Sequence, residues 1–351
     1  MRQQGVTLQD IANRTGVSKV TVSYVLNGRE TGVRISDATR QRVMAVARDL
    51  GYQPNAVARA LARRCTDTVT LVMQFPSVFS GGSSFVLEMM HGVLDAANAL
   101  GYDLLLHTKT IPDSLQEVQA LTDGRADGIL VLRNLGDPLI GELQTRNFPW
   151  VSLFSRSEEP GAYFVDCDNV TGGRLATEYL ISLGHRCIGF IGGSAASSAV
   201  RDRYKGFADV LLEHNIEPNP QWSAEIGFAG ADFAPLEKML KAKNAPTALF
   251  VWSDDVAVEA IAFLRDKLNL RVPEDVSIIG FDGSETLGER SVPRLTTVRQ
   301  PIYAIAERAL QLLVARIRDA GVLETQKLLP PELIIRESCA PLHSSSVSLT
   351  T

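Results

Sequence analysis

The stretch Val6-Thr7-Leu8-Gln9-Asp10-Ile11-Ala12, continued by Gly16-Val17-Ser18-Lys19-Val20-Thr21-Val22-Ser23-Tyr24-Val25-Leu26-Asn27, sets the reading of the chain. Thr7 with Asp10 three residues on fits a capping box, so a helix starts near Leu8 and carries Leu8, Ile11 and Ala12 inward. Gly16 breaks that helix, Val17 plugs the turn, and Ser18 can cap a second helix in which Val22, Val25 and Leu26 recur at helical spacing. Two short helices joined by a glycine turn form a helix-turn-helix. A third helix begins at Ser36 or Asp37, runs through Val43, Val46, Ala47 and Leu50, and stops at Gly51. So small a unit needs all three to close a core.

Outward from this unit runs Tyr52-Gln53-Pro54-Asn55-Ala56-Val57-Ala58-Arg59-Ala60-Leu61-Ala62-Arg63-Arg64. Pro54 forbids continuation of the preceding helix and Asn55 is a good cap for a very short new one, which alone in water is marginal and orders only against a partner. Through Arg64 there are eleven Lys and Arg against four acids, a balance of +7, while the whole chain carries -5, so the remainder carries -12. A cationic head on an acidic body suits a polyanion-binding module attached to a solubilising domain.

The 351 residues, 45% hydrophobic, 21% charged and 7% aromatic, are ordinary globular composition and long enough for two or three folding units. No stretch reaches the roughly 18 consecutive apolar residues of a membrane helix, and MRQQGVTLQD lacks the apolar core of a signal peptide, so a cytoplasmic location without membrane contact is expected. Cys65, Cys167, Cys187 and Cys339 lie far apart with no C-x-x-C pair, and the five histidines are scattered. Reduced thiols, no metal and no cofactor are the expectation.

From Thr68 onward short apolar runs alternate with amphipathic stretches. Strands are expected at Val69-Met73, Asp103-Leu106, Gly128-Leu132 and Trp150-Leu153, with helices at Phe85-Leu100 and near Leu115 and Leu139. After Phe164-Val165 the pattern restarts, with helices Asn169-Leu183, Val200-His214 and Val256-Leu268 between strands Ile188-Ile191, Ala248-Val251 and Val276-Phe281. Such alternation indicates two similar α/β halves, each a parallel sheet covered by helices.

V-T-L-Q-D-I-A, G-V-S-K-V-T-V-S-Y-V-L-N and Y-Q-P-N-A-V-A-R-A-L, in register over residues 6 to 61, resemble the DNA-binding head of the LacI/GalR family of bacterial transcription regulators. In the body, D-N-V-T-G-G-R-L-A-T-E-Y-L-I-S-L-G-H-R-C-I-G-F-I-G-G, V-S-I-I-G-F-D and P-R-L-T-T-V-R-Q look like the family's effector-binding core. The resemblance implies an all-α helix-turn-helix head followed by a two-lobed core like that of periplasmic sugar-binding proteins, crossed about three times by the chain. The expected division is a head over residues 1-52, a hinge helix and linker over 53-65, and a core over 66-340. Within the core, the first lobe is expected over about 66-165 and 295-325 and the second over about 166-294 and 326-340. A disordered Ser-rich tail is expected over 341-351.

The resemblance also implies roles. In the family the second helix enters the major groove, where Lys19, Val20 and Tyr24 hold positions that vary with operator sequence; a lysine can donate to guanine O6 or N7 and a valine can touch a thymine methyl. Thr21, Ser23 and Asn27 fall where backbone and phosphate contacts set register, and Ser18, Asn55 and Ala62 complete the DNA-facing set. Leu61 matches the hinge-helix wedge pushed between base pairs from the minor groove, with Arg59, Arg63 and Arg64 expected on phosphates.

For the pocket, Arg203 in R-D-R-Y-K-G-F and Asp282 in G-F-D match the two most characteristic polar positions, a fork and a carboxylate able to grip neighbouring hydroxyls. Ser253-Asp254 stands where Asn-Asp is usual. Phe85 keeps the first aromatic of a family pair while Val86 replaces the second, and Ile302 stands where an aromatic often stacks on the ligand. Trp252 and Phe228 could supply a replacement stacking face, whereas Trp150 reads as core. Phe154 and Arg156, at the end of a first-lobe strand, are further candidates, and Asp168 matches a position near an interlobe crossing.

The function implied is a repressor, homodimeric on a palindromic double-stranded operator, controlled by a small carbohydrate between the lobes, with induction the expected sign. The alternative is the same regulator answering a non-sugar metabolite such as a nucleobase. A sugar-acting enzyme is the rival of a different class; it finds no G-x-x-x-x-G-K-[ST] loop, no dinucleotide glycine spacing in G-F-I-G-G and no H-E-x-x-H.

Overall fold

The computed structural model describes residues 6–27, 35–53, 56–63, 65–73, 83–134, 136–156, 161–227, 232–321 and 325–342. The chain divides into two compact units, Met1–Thr66 and Asp67–Thr351.

The first unit holds α1 (Leu8–Thr15), α2 (Lys19–Asn27), α3 (Asp37–Asp49) and α4 (Ala56–Arg63). The capping box forms: Thr7 N donates to Asp10 Oδ2 at 2.8 Å and Asp10 N to Thr7 Oγ1 at 3.4 Å. Gly16 closes α1 in the left-handed region at φ 70°, a conformation open to glycine at little cost. Ser18 Oγ accepts from Thr21 N at 3.1 Å and Ser36 Oγ from Thr39 N at 3.3 Å, so α2 and α3 start where the sequence places them. Ile11, Ala12, Val22, Val25, Val43 and Ala47 form the buried centre, one contribution from each of α1, α2 and α3 being needed to close it.

The second unit is built on two six-stranded sheets. The first contains β1 (Thr68–Met73), β2 (Asp103–His107), β3 (Gly128–Leu132), β4 (Trp150–Leu153), β5 (Phe164–Cys167) and β11 (Gln326–Leu329), in the order β11-β5-β4-β3-β1-β2. The second contains β6 (Ile188–Gly192), β7 (Ser223–Glu225), β8 (Ala248–Val251), β9 (Ser277–Asp282), β10 (Thr296–Arg299) and β12 (Glu332–Ile334), in the order β12-β10-β9-β8-β6-β7. All pairings are parallel except β12 on β10. Burial on both faces explains why the central strands read as unbroken apolar runs rather than alternating ones. Helices α5 (Ser84–Leu100), α6 (Ser114–Leu121), α7 (Pro138–Thr145) and α13 (Ile302–Ile317) cover the first sheet. Helices α8 (Asn169–Ser182), α9 (Ser198–Glu213), α10 (Ala234–Leu240), α11 (Asp254–Phe263) and α12 (Glu285–Arg290) go with the second.

The lobe boundaries expected near 295 and 326 are displaced. Strand β10 pairs in parallel with β9, Thr296 opposite Ile279, and so belongs to the second sheet; β11 pairs with β5, Gln326 opposite Phe164, and so belongs to the first. The crossings fall after Cys167, between Arg299 and Ile302, and at Pro330-Pro331. Periodicity reveals that a strand exists, but the sheet edge it joins depends on partners distant in sequence. At the far end, Leu342 N donates to Leu183 O at 2.9 Å, so the chain is anchored one residue past the expected start of the tail at 341; residues 343–351 lie outside the described residues.

Two glycines set the α8 and α9 approach. A Cβ on Gly173 would meet the Arg203 carbonyl oxygen, and one on Gly206 the Val170 carbonyl oxygen, with Arg174 N at 2.8 Å. Gly206→Ala is therefore expected to lower unfolding stability of the body by about 1–3 kcal/mol, as overpacking of backbone against backbone does; urea unfolding followed by tryptophan fluorescence measures it. His185 bridges the second lobe, its ring nitrogens 2.9 Å from Thr247 Oγ1 and 3.1 Å from Ser277 Oγ, and burial pushes its pKa down. Among the described residues no helix is long and apolar enough to cross a membrane.

Candidate functional site

In the first unit α2 buries Val22 and Val25 and turns the opposite face outward. Ser18, Lys19 and Val20 are exposed, Val20 by 57%, while Thr21, Ser23 and Tyr24 are half-buried. Ser18 and Thr21 join their hydroxyls at 2.8 Å, which leaves Lys19, Val20 and the outer edge of Tyr24 as the reaching groups. On α4 the side chain of Leu61 is 82% exposed between exposed Arg59 and Arg63. A bare leucine flanked by cations on a helix too short to be stable alone suits insertion into an apolar stack beside phosphates. Asn55 and Arg64 lie outside the described residues, as do the side chains of Asn27 and Ala62.

In the second unit the candidate cleft lies where the carboxyl ends of the two sheets face each other, the usual place for a ligand in open α/β folds. Phe154 follows β4 at φ 53°, and its ring meets that of Phe85, at the start of α5, edge-on with centroids 4.8 Å apart. Across the boundary, Arg203 on α9 is 4% exposed. Its Nε donates to Asn169 Oδ1 at 2.9 Å, its Nη1 donates to the Trp252 carbonyl, and its guanidinium carbon lies 3.6 Å from the centre of the Phe281 ring. Asp282, ending β9, holds Oδ1 3.9 Å from Arg203 Nη1 and accepts from Gln300 Nε2 at 2.7 Å. Burial pushes the Asp282 carboxyl up to about 7 against the pull of Arg203. Its φ of 121° is a strained setting for a non-glycine residue, worth about 1–3 kcal/mol, of the sort that persists where a site holds it.

The other expected contacts are already engaged. Ser253 is buried and caps α11 through Val256 N at 3.3 Å. Asp254, fully buried, accepts from Thr297 Oγ1 at 2.6 Å on one oxygen and from Ser284 N at 2.8 Å on the other, tying α11 to β10 and the loop after β9. Trp252 turns its indole N–H to the Ile226 carbonyl at 2.9 Å and lies against Gly193, so its carbonyl rather than its ring serves Arg203. Asp168 caps α8, accepting from Thr171 N at 3.0 Å. Trp150 and Ile302 are core. Phe228 lies outside the described residues.

Arg156 is a bridge between lobes: its Nη2 pairs with Asp202 on α9 at 2.6 Å, and its backbone N donates to Ser198 Oγ at 3.0 Å. A second bridge runs from Ser83 Oγ to Asp255 Oδ2 at 2.9 Å. Both hold the lobes together in this conformation. Sequence reasoning missed Asn169, Asp202, Phe281 and Gln300. All four stood inside quoted motifs, Asn169 after Asp168, Phe281 before Asp282, Asp202 in R-D-R-Y-K-G-F and Gln300 at the end of P-R-L-T-T-V-R-Q, and for Asn169 a strand-to-helix junction carrying Asp-Asn was the available signal.

Residues 7–55 match the family described as bacterial regulatory proteins, lacI family, and residues 177–339 match a periplasmic binding protein-like domain. A repressor from Aliivibrio salmonicida, described as HTH-type transcriptional repressor PurR, is 34% identical over 95% of this chain and 98% of its own length. The chain belongs to the LacI family.

A PurR repressor from Haemophilus influenzae is 32% identical over 95% of this chain and 98% of the relative. Among solved structures, the transcriptional regulator CelR in complex with cellobiose is 31% identical, with a TM-score of 0.72 over 95% of this chain and 99% of that one. The lac repressor dimer bound to operator and the anti-inducer ONPF is 25% identical, with a TM-score of 0.82 over 96% of this chain and all of that one. The LacI-family chain is thus a DNA-binding transcriptional repressor with a helical head and two parallel-sheet lobes.

Proposed function

We propose that this repressor binds a twofold-symmetric operator as a homodimer, reads it through Lys19, Val20 and Tyr24, wedges it open with Leu61, and is controlled by a small molecule held between the lobes by Arg203 and Asp282. The observation that carries the DNA reading is the 82% exposure of Leu61 on a helix flanked by arginines. For the effector, a nucleobase is favoured over the carbohydrate first expected. A sugar needs several free polar groups at its rim, yet Ser253 and both oxygens of Asp254 are bonded within the second lobe. What remains, the paired Arg203 and Asp282 on the second lobe and the Phe85 and Phe154 rings on the first, suits a flat ligand with one polar edge. Relatives named PurR over nearly the whole chain point the same way. The sugar reading keeps the support of the CelR structure, which holds cellobiose. Induction is the expected sign for a sugar, because most sugar regulators of the family release DNA on binding, and that expectation does not extend to a nucleobase.

Thermal unfolding with adenine, guanine, hypoxanthine, uracil, ribose and cellobiose tests this. A ligand at about 100 times its Kd stabilises by about 2.7 kcal/mol, several degrees for a chain of this size. Shifts with nucleobases and none with the sugars are expected; the reverse result restores the carbohydrate. Operator retention on a gel with the hit then gives the sign of the response.

A further inference from the structure

Beneath the Arg203 site lies a buried chain of hydrogen bonds that begins in the other lobe. Asp166 sits on β5 of the first lobe, 1% exposed, and its Oδ1 accepts from Cys167 N at 2.7 Å and from Asn169 Nδ2 at 3.2 Å. The same Nδ2 donates to the Cys167 carbonyl at 3.1 Å. With its NH2 group committed to the β5 strand, Asn169 presents its oxygen to Arg203 Nε, 2.9 Å away; the flipped amide would set N–H against N–H. Asp166 therefore decides which way Asn169 faces, and Asn169 decides where the Arg203 guanidinium lies over Phe281.

The remaining oxygen of Asp166, Oδ2, is buried without a hydrogen-bond partner among the described residues. With no donor to stabilise charge on it, a buried carboxylate oxygen left so favours the neutral acid. The charged groups facing Asp166 are Arg203 and Asp202 of α9, the latter paired with Arg156, which follows β4 in the first lobe. Arg203 in turn faces Asp282 and Asp254. Three buried carboxyls thus share one buried guanidinium.

We propose that Asp166 is a positioning residue of the effector site, acting through Asn169 across the lobe boundary to aim Arg203, and holding that aim firmly only when its own carboxyl is ionised. The inference rests on the effector reading of the cleft for its functional consequence, while the relay itself needs no ligand. An ionised carboxylate accepts a stronger hydrogen bond than a neutral acid, so the hold on Asn169 tightens as the proton leaves. Burial pushes Asp166 up to about 7, which places that change near neutrality.

The first test uses the nitrogen-15-labelled full chain without ligand and follows the Arg203 Nε–H resonance from pH 6 to pH 8, assigned by its loss in Arg203→Lys. The wild-type resonance is expected to titrate near neutrality. In Asp166→Asn, a mimic of the protonated acid, it should stay close to its wild-type position at pH 6, keeping only the smaller movement due to Asp282; Asn169→Ala should abolish its protection at every pH. A variant titration superimposed on the wild type overturns the relay. Should Asp166→Asn not fold, the wild-type Asp166 carboxyl carbon decides: it must titrate in step with Arg203, and a different midpoint overturns the proposal. The second test is calorimetry with hypoxanthine. The affinity deficit of Asp166→Asn should be negligible at pH 6 and about fivefold to tenfold at pH 8; an equal deficit at both pH values, the mark of a merely structural residue, overturns the proposal. If hypoxanthine binds neither protein, that failure falls on the nucleobase reading, and the resonance titration alone decides the relay.

Discussion

Leu61→Ala is expected to lower affinity for a specific operator by about one to three decades while leaving salt-driven binding to random duplex within about twofold, because each 1.4 kcal/mol of lost wedge contact is a factor of ten. Alanine is the best helix former, so the substitution removes the wedge without weakening the propensity of α4. Leu61 is 82% exposed, so no core contact is lost and the head should melt at an unchanged temperature. Arg59 and Arg63 remain to release counterions, which keeps the salt dependence of nonspecific binding intact. Anisotropy on a twofold-symmetric duplex selected from a random pool, beside unselected duplex, measures both affinities. Equal loss on both duplexes would remove Leu61 from the base stack and make α4 a plain phosphate clamp.

Local chemistry explains why the head was legible and the pocket only partly so. Thr7 with Asp10, Gly16, Ser18 and Ser36 act within three or four residues of themselves, and their capping bonds form as read. The strands of the body were equally visible, since burial on both faces leaves continuous apolar runs. What failed was partnership at a distance. Strand β10 exchanged places with β11 because each is placed by a neighbour about 20 or 160 residues away, β9 in one case and β5 in the other. The same holds in the cleft: Arg203 and Asp282 lie 3.9 Å apart as a pair, yet Ser253 and Asp254 turned inward to cap and tie their own lobe, and Arg156 reached across to Asp202. A residue type shows what a side chain can bond to; whether a ligand or a neighbour takes the bond depends on geometry that the motif does not carry.

Arg203→Ala should abolish any effector response and destabilise the body by about 3–5 kcal/mol at pH 8, the usual result of leaving buried charge without its partner. The pH dependence of that loss is its distinguishing mark. Asp282 is pushed by burial from the ordinary carboxylate range to about 7 even with Arg203 beside it, and Asp254 is pushed up as well, by burial and by Asp282. A carboxyl raised in the folded state favours folding at acid pH, and that contribution is lost as pH climbs from the unfolded value near 4 through the folded one. In the wild type the loss through Asp282 is complete soon after pH 7. Without Arg203 the Asp282 pKa rises further, so the variant goes on losing stability beyond the point where the wild type levels off, at up to about 1.4 kcal/mol per pH unit for each such group. The gap between the two proteins should accordingly widen from pH 6 to pH 8.5 in urea unfolding. Arg203→Lys separates charge from shape: an ammonium can partly offset the buried carboxylates, but it cannot lie flat on Phe281 while bonding Asn169 and the Trp252 carbonyl together. It should regain much of the stability and none of the response. An Arg203→Ala protein that responds normally, or whose deficit is the same at both pH values, would show that the guanidinium is neither the effector's grip nor the counterion of these acids.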